Sequence, residues 1–127
     1  MDEQTDPQTL NEKTFMAEAK NPIGNKSWDQ FLDEVLAEEF IIRRSNPAIA
    51  NQSKKEMIDW IAARPTPKRT PGALQFWNGD SLSVVTGDVS MDDENGKARR
   101  YQNIKVFKRG PEGNWKCVYW QVTEMPV

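Results

Sequence analysis

Tyr101-Gln102-Asn103-Ile104-Lys105-Val106-Phe107-Lys108-Arg109, then Gly110-Pro111-Glu112-Gly113, then Asn114-Trp115-Lys116-Cys117-Val118-Tyr119-Trp120-Gln121-Val122-Thr123-Glu124, is the stretch that decides the fold. Two runs rich in β-branched and aromatic residues flank a Gly/Pro cluster, which predicts an antiparallel hairpin. A four-residue loop, Gly110 to Gly113, would set Arg109 opposite Asn114. Side chains alternate along a strand, so Tyr101, Asn103, Lys105 and Phe107 would then share a face with Val118, Trp120 and Val122. Ile104, Val106, Trp115, Cys117, Tyr119 and Gln121 would share the other. Both faces are largely apolar, so one is expected to close on helices and the other to meet a partner. A bulge in either strand would mix the two sets.

Upstream of the hairpin the period is also two. Asn78-Gly79, after Phe76-Trp77, is a two-residue turn signal, expected to set Phe76 opposite Ser81 and Leu74 opposite Ser83. A strand from about Ser81 to Met91 follows, then an acidic turn from Asp92 to Lys97. Before residue 65 the signals are helical. Asp6-Pro7 opens a helix over about Pro7 to Lys20, stopped by Asn21-Pro22-Ile23-Gly24. Ser27-Trp28-Asp29-Gln30 and Ser53-Lys54-Lys55-Glu56 are capping boxes. The first precedes Phe31, Leu32, Val35 and Leu36 at helical spacing; the second precedes Met57, Ile58, Trp60 and Ile61. Between them Glu39-Phe40-Ile41-Ile42-Arg43-Arg44 reads as a short strand. The expected order is α-α-β-α-β-β-β-β, an α+β domain in which helices precede an antiparallel meander. The whole chain, 1–127, is expected to form one domain, with residues 1–26 as N-terminal helix and connector.

Composition narrows the function classes. The chain has 127 residues, a net charge of −2, one cysteine and no histidine. The charge is too balanced for a nucleic-acid-binding surface. No apolar run is long enough for a membrane helix. The lone Cys117 fits a reducing, cytoplasmic setting. Without histidine, the commonest general base and metal ligand near neutral pH are missing. Asp92-Asp93-Glu94 matches no fixed metal spacing, and no cofactor is implied.

The stretches Phe31-Leu32-Asp33 to Arg44, the capped helix after Ser53, Asn103-Ile104-Lys105-Val106-Phe107, and Trp115 to Thr123 resemble the nuclear-transport-factor-2-like superfamily. The nearest likeness is to its SnoaL-like and ketosteroid-isomerase-like members, over roughly Ser27 to Thr123. The resemblance implies a cone-shaped curved sheet wrapped around the N-terminal helices, an apolar pocket inside, and frequent homodimerisation through a sheet face. It includes isomerases, cyclases and dehydratases beside domains with no known reaction, so it does not select a function.

Specific side chains carry the functional expectations. Tyr101, Asn103 and Trp120 add polar groups to apolar walls, the composition of a ligand pocket or of a core with satisfied polar atoms. Trp60 and the pair Arg43/Arg44 could close the same cavity. Alternation sends one of the two arginines inward or to the rim, where it would favour an anionic ligand; a surface salt bridge to Glu38 or Glu39 is the plainer alternative. Asp88 and Tyr101 are the candidates for proton transfer, Asp88 only if burial raises its pKa. Cys117 reads as inert packing. Three functions remain: a cone that binds a hydrophobic small molecule, a cofactor-free isomerase, cyclase or dehydratase acting on a polyketide- or steroid-like substrate, and an interaction module with a filled cone.

Overall fold

The computed structural model describes residues 28–63, 69–93 and 95–126. The expected helix over Pro7 to Lys20 and the cap at Ser27 lie outside them. Helix α1 (Trp28–Val35) runs directly into strand β1 (Leu36–Arg44), followed by the two-residue strand β2 (Gln52–Ser53), helix α2 (Lys54–Ala62), and strands β3 (Arg69–Asn78), β4 (Leu82–Asp92), β5 (Ala98–Arg109) and β6 (Trp115–Met125). The strands form one curved, open sheet in the order β2-β1-β6-β5-β4-β3. The meander β3 to β6 is antiparallel as expected, but β1 pairs parallel with β6.

Local chemistry explains the elements. The box before α2 forms as read: Ser53 N donates to Glu56 Oε1 at 3.0 Å, and Glu56 N donates to Ser53 Oγ at 3.3 Å. The Ser53 backbone N–H above all, with the Ser53 side chain adding to it, holds the Glu56 carboxyl below its ordinary value. Between β4 and β5, Asp93 Oδ1 accepts from the backbone N–H of Asn95 and Lys97 at 2.9 Å each. The Lys97 N–H is the main cause of a lowered Asp93 pKa, with Arg99 adding to it. Arg99 in turn reaches Glu124 on β6 at 2.6 Å.

Two registers differ from the sequence reading. The turn between β3 and β4 centres on Asp80-Ser81, because Gly79 N donates to Leu82 O at 2.7 Å. Phe76 therefore faces Val85, Leu74 faces Gly87 and Trp77 faces Val84. These apolar pairs outweigh the Asn-Gly turn preference, whose register would have set Phe76 against Ser81. Between β5 and β6, Arg109 pairs with Trp115 rather than Asn114. Gly110 N donates to Asn114 O, and Gly113 N donates to Gly110 O at 2.9 Å. Pro111-Glu112-Gly113 is thus a three-residue turn ending on Gly113 at φ +87°, the left-handed geometry this turn type needs.

The second shift lies inside β6. Phe107 pairs with Cys117, yet Val106 pairs with Tyr119, so Val118 is an extra residue. β1 breaks register across the same residue, between Leu36↔Cys117 and Ile41↔Tyr119. This bulge brings Cys117 onto the helix-facing side together with Trp120 and Val122. The core there joins Leu32 and Val35 of α1, Leu36, Phe40 and Ile42 of β1, Met57 of α2, and Val85, Phe107, Cys117 and Trp120 of the sheet. Among the described residues no helix is long and apolar enough to cross a membrane.

The cap gives a direct test. Ser53→Ala should lower unfolding stability by about 1 kcal/mol at neutral pH, read as a shifted urea midpoint. Glu56 has a lowered folded pKa, so its contribution is full above the unfolded value and lost as pH falls through the folded one. The main cause, the Ser53 backbone N–H, survives the substitution, so only the smaller share carried by the Ser53 hydroxyl should drop out of its cost in acid.

Candidate functional site

Rung by rung, the inner face of the sheet changes from sealed core to accessible surface. One rung holds Ile42, Trp120, Lys105, Val85 and Phe76, paired in turn across β1, β6, β5, β4 and β3. Its first four members are buried, Lys105 at 4% exposure included. The next rung holds Arg44, Val122, Asn103, Gly87 and Leu74. Here Arg44, Val122, Asn103 and Gly87 are half-buried and Leu74 is exposed. Tyr101, half-buried, stands beyond it between Val89 and Glu124.

Polar contacts fix this set. The Trp120 indole Nε1–H donates to Asn103 Oδ1 at 2.8 Å, satisfying a donor that burial would otherwise strand. The Lys105 ammonium stands 4.1 Å from the centroid of the same indole. That contact is worth about 2 kcal/mol when desolvated. Arg44 donates to Gln52 Oε1 at 2.7 Å and lies 4.3 Å above the Trp60 ring. Each of two cations therefore lies against a tryptophan face.

Of the residues singled out in the sequence, Arg44, Tyr101, Asn103 and Trp120 lie on the inner face of the sheet. Trp60 of α2 packs against the core beneath them. Arg43 does not join them. Alternation along β1 sends it to the outer face, paired with Gln121, while Arg44 turns inward. Asp88 is likewise on the outer face, pairing with Gln102, and its carboxylate meets Arg100 Nη2 at 3.1 Å. A desolvated base is not what that position provides. Among the described residues no carboxylate is buried, and no group of three or more His, Cys, Asp or Glu could hold a metal. The residue the sequence reading passed over is Lys105. Its alternation with Asn103 and Tyr101 marked its face, but a lysine in a strand reads as solvated until its tryptophan is located.

The outer face carries its own pattern. Ile41, Tyr119, Val106, Val84 and Trp77 form an unbroken apolar row across five strands. Ile41 is 39% and Trp77 55% exposed. Tyr119 Oη donates to Gln121 Oε1 at 2.7 Å.

The Asn103–Trp120 bond predicts an asymmetric pair of variants. Asn103→Leu should destabilise by about 1–3 kcal/mol, because it strands the indole donor. Asn103→Asp, which keeps an acceptor at that atom, should cost clearly less. Urea midpoints at unchanged slope would show the difference.

No protein-family model matches the sequence, and no curated protein matches it significantly. Solved structures do. The S. rosetta CaMKII hub superposes with a TM-score of 0.75 at 15% identity, over 97% of this chain and 100% of that one. An NTF2-like protein from Cytophaga hutchinsonii gives 0.73 at 16% identity, over 93% and 94%. A ketosteroid isomerase-like protein from Erwinia carotovora atroseptica gives 0.68 at 8% identity, over 94% of each. At these identities the likeness concerns the fold, and it agrees with the resemblance read from the sequence. This chain has the α+β cone fold of the nuclear-transport-factor-2-like proteins.

Proposed function

We infer that this protein binds a hydrophobic small molecule on the inner face of its sheet, with no catalytic step assigned. The observation that carries this reading is the change in burial along that face. The sheet is sealed at the Trp120–Lys105 rung and becomes accessible at Arg44, Val122, Asn103 and Tyr101. The accessible part combines apolar wall, amide, phenol and guanidinium, a mixture suited to ligands with an apolar body and a few polar groups. Of the two residues considered for proton transfer, Tyr101 alone lies on the inner face. The alternative of a cofactor-free isomerase, cyclase or dehydratase rests on that phenol.

A thermal-denaturation screen with steroid-like, polyketide-like and carboxylate compounds tests the reading. Saturation at about a hundred times Kd adds about 2.7 kcal/mol, a rise of several degrees in Tm for a domain of this size. A screen in which no class raises Tm counts against it.

The outer apolar row favours a second, compatible reading: association of two copies through that sheet face. Among the structural neighbours is a kinase hub, and another is described as a kinase association domain. Tyr119 lies in the row between Ile41 and Val106 and is half-buried within one chain. Tyr119→Asp should convert a dimer to a folded monomer, read by size-exclusion chromatography with light scattering. An unchanged oligomer would remove this face from the interface.

A further inference from the structure

The accessible inner rung is chemically graded from end to end. At the β1 end is the Arg44 guanidinium, held over Trp60 and bonded to Gln52. Val122 and Asn103 follow, then Gly87, then Leu74 on the edge strand β3. The gradient therefore runs from cation through amide to hydrocarbon across four inter-strand steps, about 19 Å between the end Cα atoms.

Gly87 is the residue that shapes the apolar end. A methyl group built on it would run into Leu74 Cδ2. Leu74 thus lies down across β4 in the space a side chain at position 87 would fill. The other rung neighbour of Gly87 is Asn103, so the leucine lies over the strand next to the central amide. Leu74 is nonetheless 36% exposed. It covers that end of the rung without belonging to the core.

The geometry points to an amphipathic carboxylate as the ligand, lying across the strands with its anionic group at Arg44 and its hydrocarbon end against Leu74 over Gly87. This rests on the reading of the inner face as a small-molecule site and gives that ligand a class and a direction. A guanidinium matches a carboxylate with two parallel N–H donors. An incoming carboxylate would join or displace the contacts Arg44 already makes. Asn103 can meet a polar atom partway along the ligand. The hydrocarbon end meets Leu74 where it lies over Gly87, and no charged side chain intervenes in the rung. In the neighbouring rung Lys105 is sealed against Trp120 and does not reach the surface. A cationic amphiphile would set its charge against the Arg44 guanidinium.

Calorimetric titration of the full chain with butanoate, hexanoate and octanoate, and with 1-octanol and octylammonium, tests this. Affinity should rise by about fourfold per methylene along the carboxylates, and octanoate should bind at least about tenfold more tightly than 1-octanol. Octylammonium should not bind. Arg44→Gln should weaken every carboxylate by about tenfold or more while keeping the gain per methylene; loss of both would mark a collapsed site and overturn the direction assigned. Leu74→Ala should leave butanoate unaffected and weaken octanoate. Equal binding of octanol and octanoate, insensitive to Arg44→Gln, would overturn the carboxylate assignment and leave the small-molecule reading standing. Binding of none of the five probes would overturn both.

Discussion

Val118 is the residue on which the two-sided character of this sheet depends. Both neighbours of β6 break register across it, β5 between Phe107 and Val106 and β1 between Leu36 and Ile41. One extra residue in a strand reverses the direction of every side chain beyond it. Before the bulge, Trp115 and Cys117 point toward the helices; after it, Trp120 and Val122 do. Without it, either the first pair or the second would turn to the outside. The core would then lose Cys117, fully buried, or Trp120, at 2% exposure. The bulge is spanned by a contact from Cys117 Sγ to Tyr119 O at 3.5 Å.

From that constraint the functional geometry follows. Trp120 enters the core beside Lys105 and hands its indole N–H to Asn103, which is fixed at the boundary between sealed and accessible surface. Val122 comes to lie between Asn103 and Arg44 in the rung above. On the reverse side Tyr119 lines up with Val106 and Ile41 to complete the apolar row. A single strand irregularity thereby organises both the inner site and the outer face. Many functions share this cone fold, and the choice among them lies in such side-chain placements rather than in the architecture.

Much of this was legible in the sequence, for reasons that can be traced to particular residues. The capping box at Ser53 and Glu56 is local chemistry, and local chemistry survives folding. The meander and its α+β order followed from the change of hydrophobic period. Alternation within β5 correctly grouped Tyr101, Asn103 and Lys105, because that strand is regular throughout. Pairing was harder. The Asn78-Gly79 signal lost to the gain from setting Phe76 against Val85 and Trp77 against Val84, a long-range term that a turn motif does not contain. The bulge at Val118 has no composition of its own; it exists because residues on both sides of it must be buried on one face. Arg43 and Asp88 fell on the outer face through the same alternation that turned Arg44 and Tyr101 inward.

The bulge can be tested through the chain's only cysteine. A regular ladder set by the four-residue loop would carry Cys117 on the outer face with Tyr119, open to solvent in a monomer. The structure instead buries Cys117 completely behind the sheet. Reaction of the native protein with a thiol-specific disulfide reagent, followed at low protein concentration and neutral pH, separates the two. The account predicts no reaction until denaturant unfolds the domain, in step with loss of tryptophan fluorescence. Stoichiometric reaction of the folded protein at the rate of an exposed thiol would contradict it.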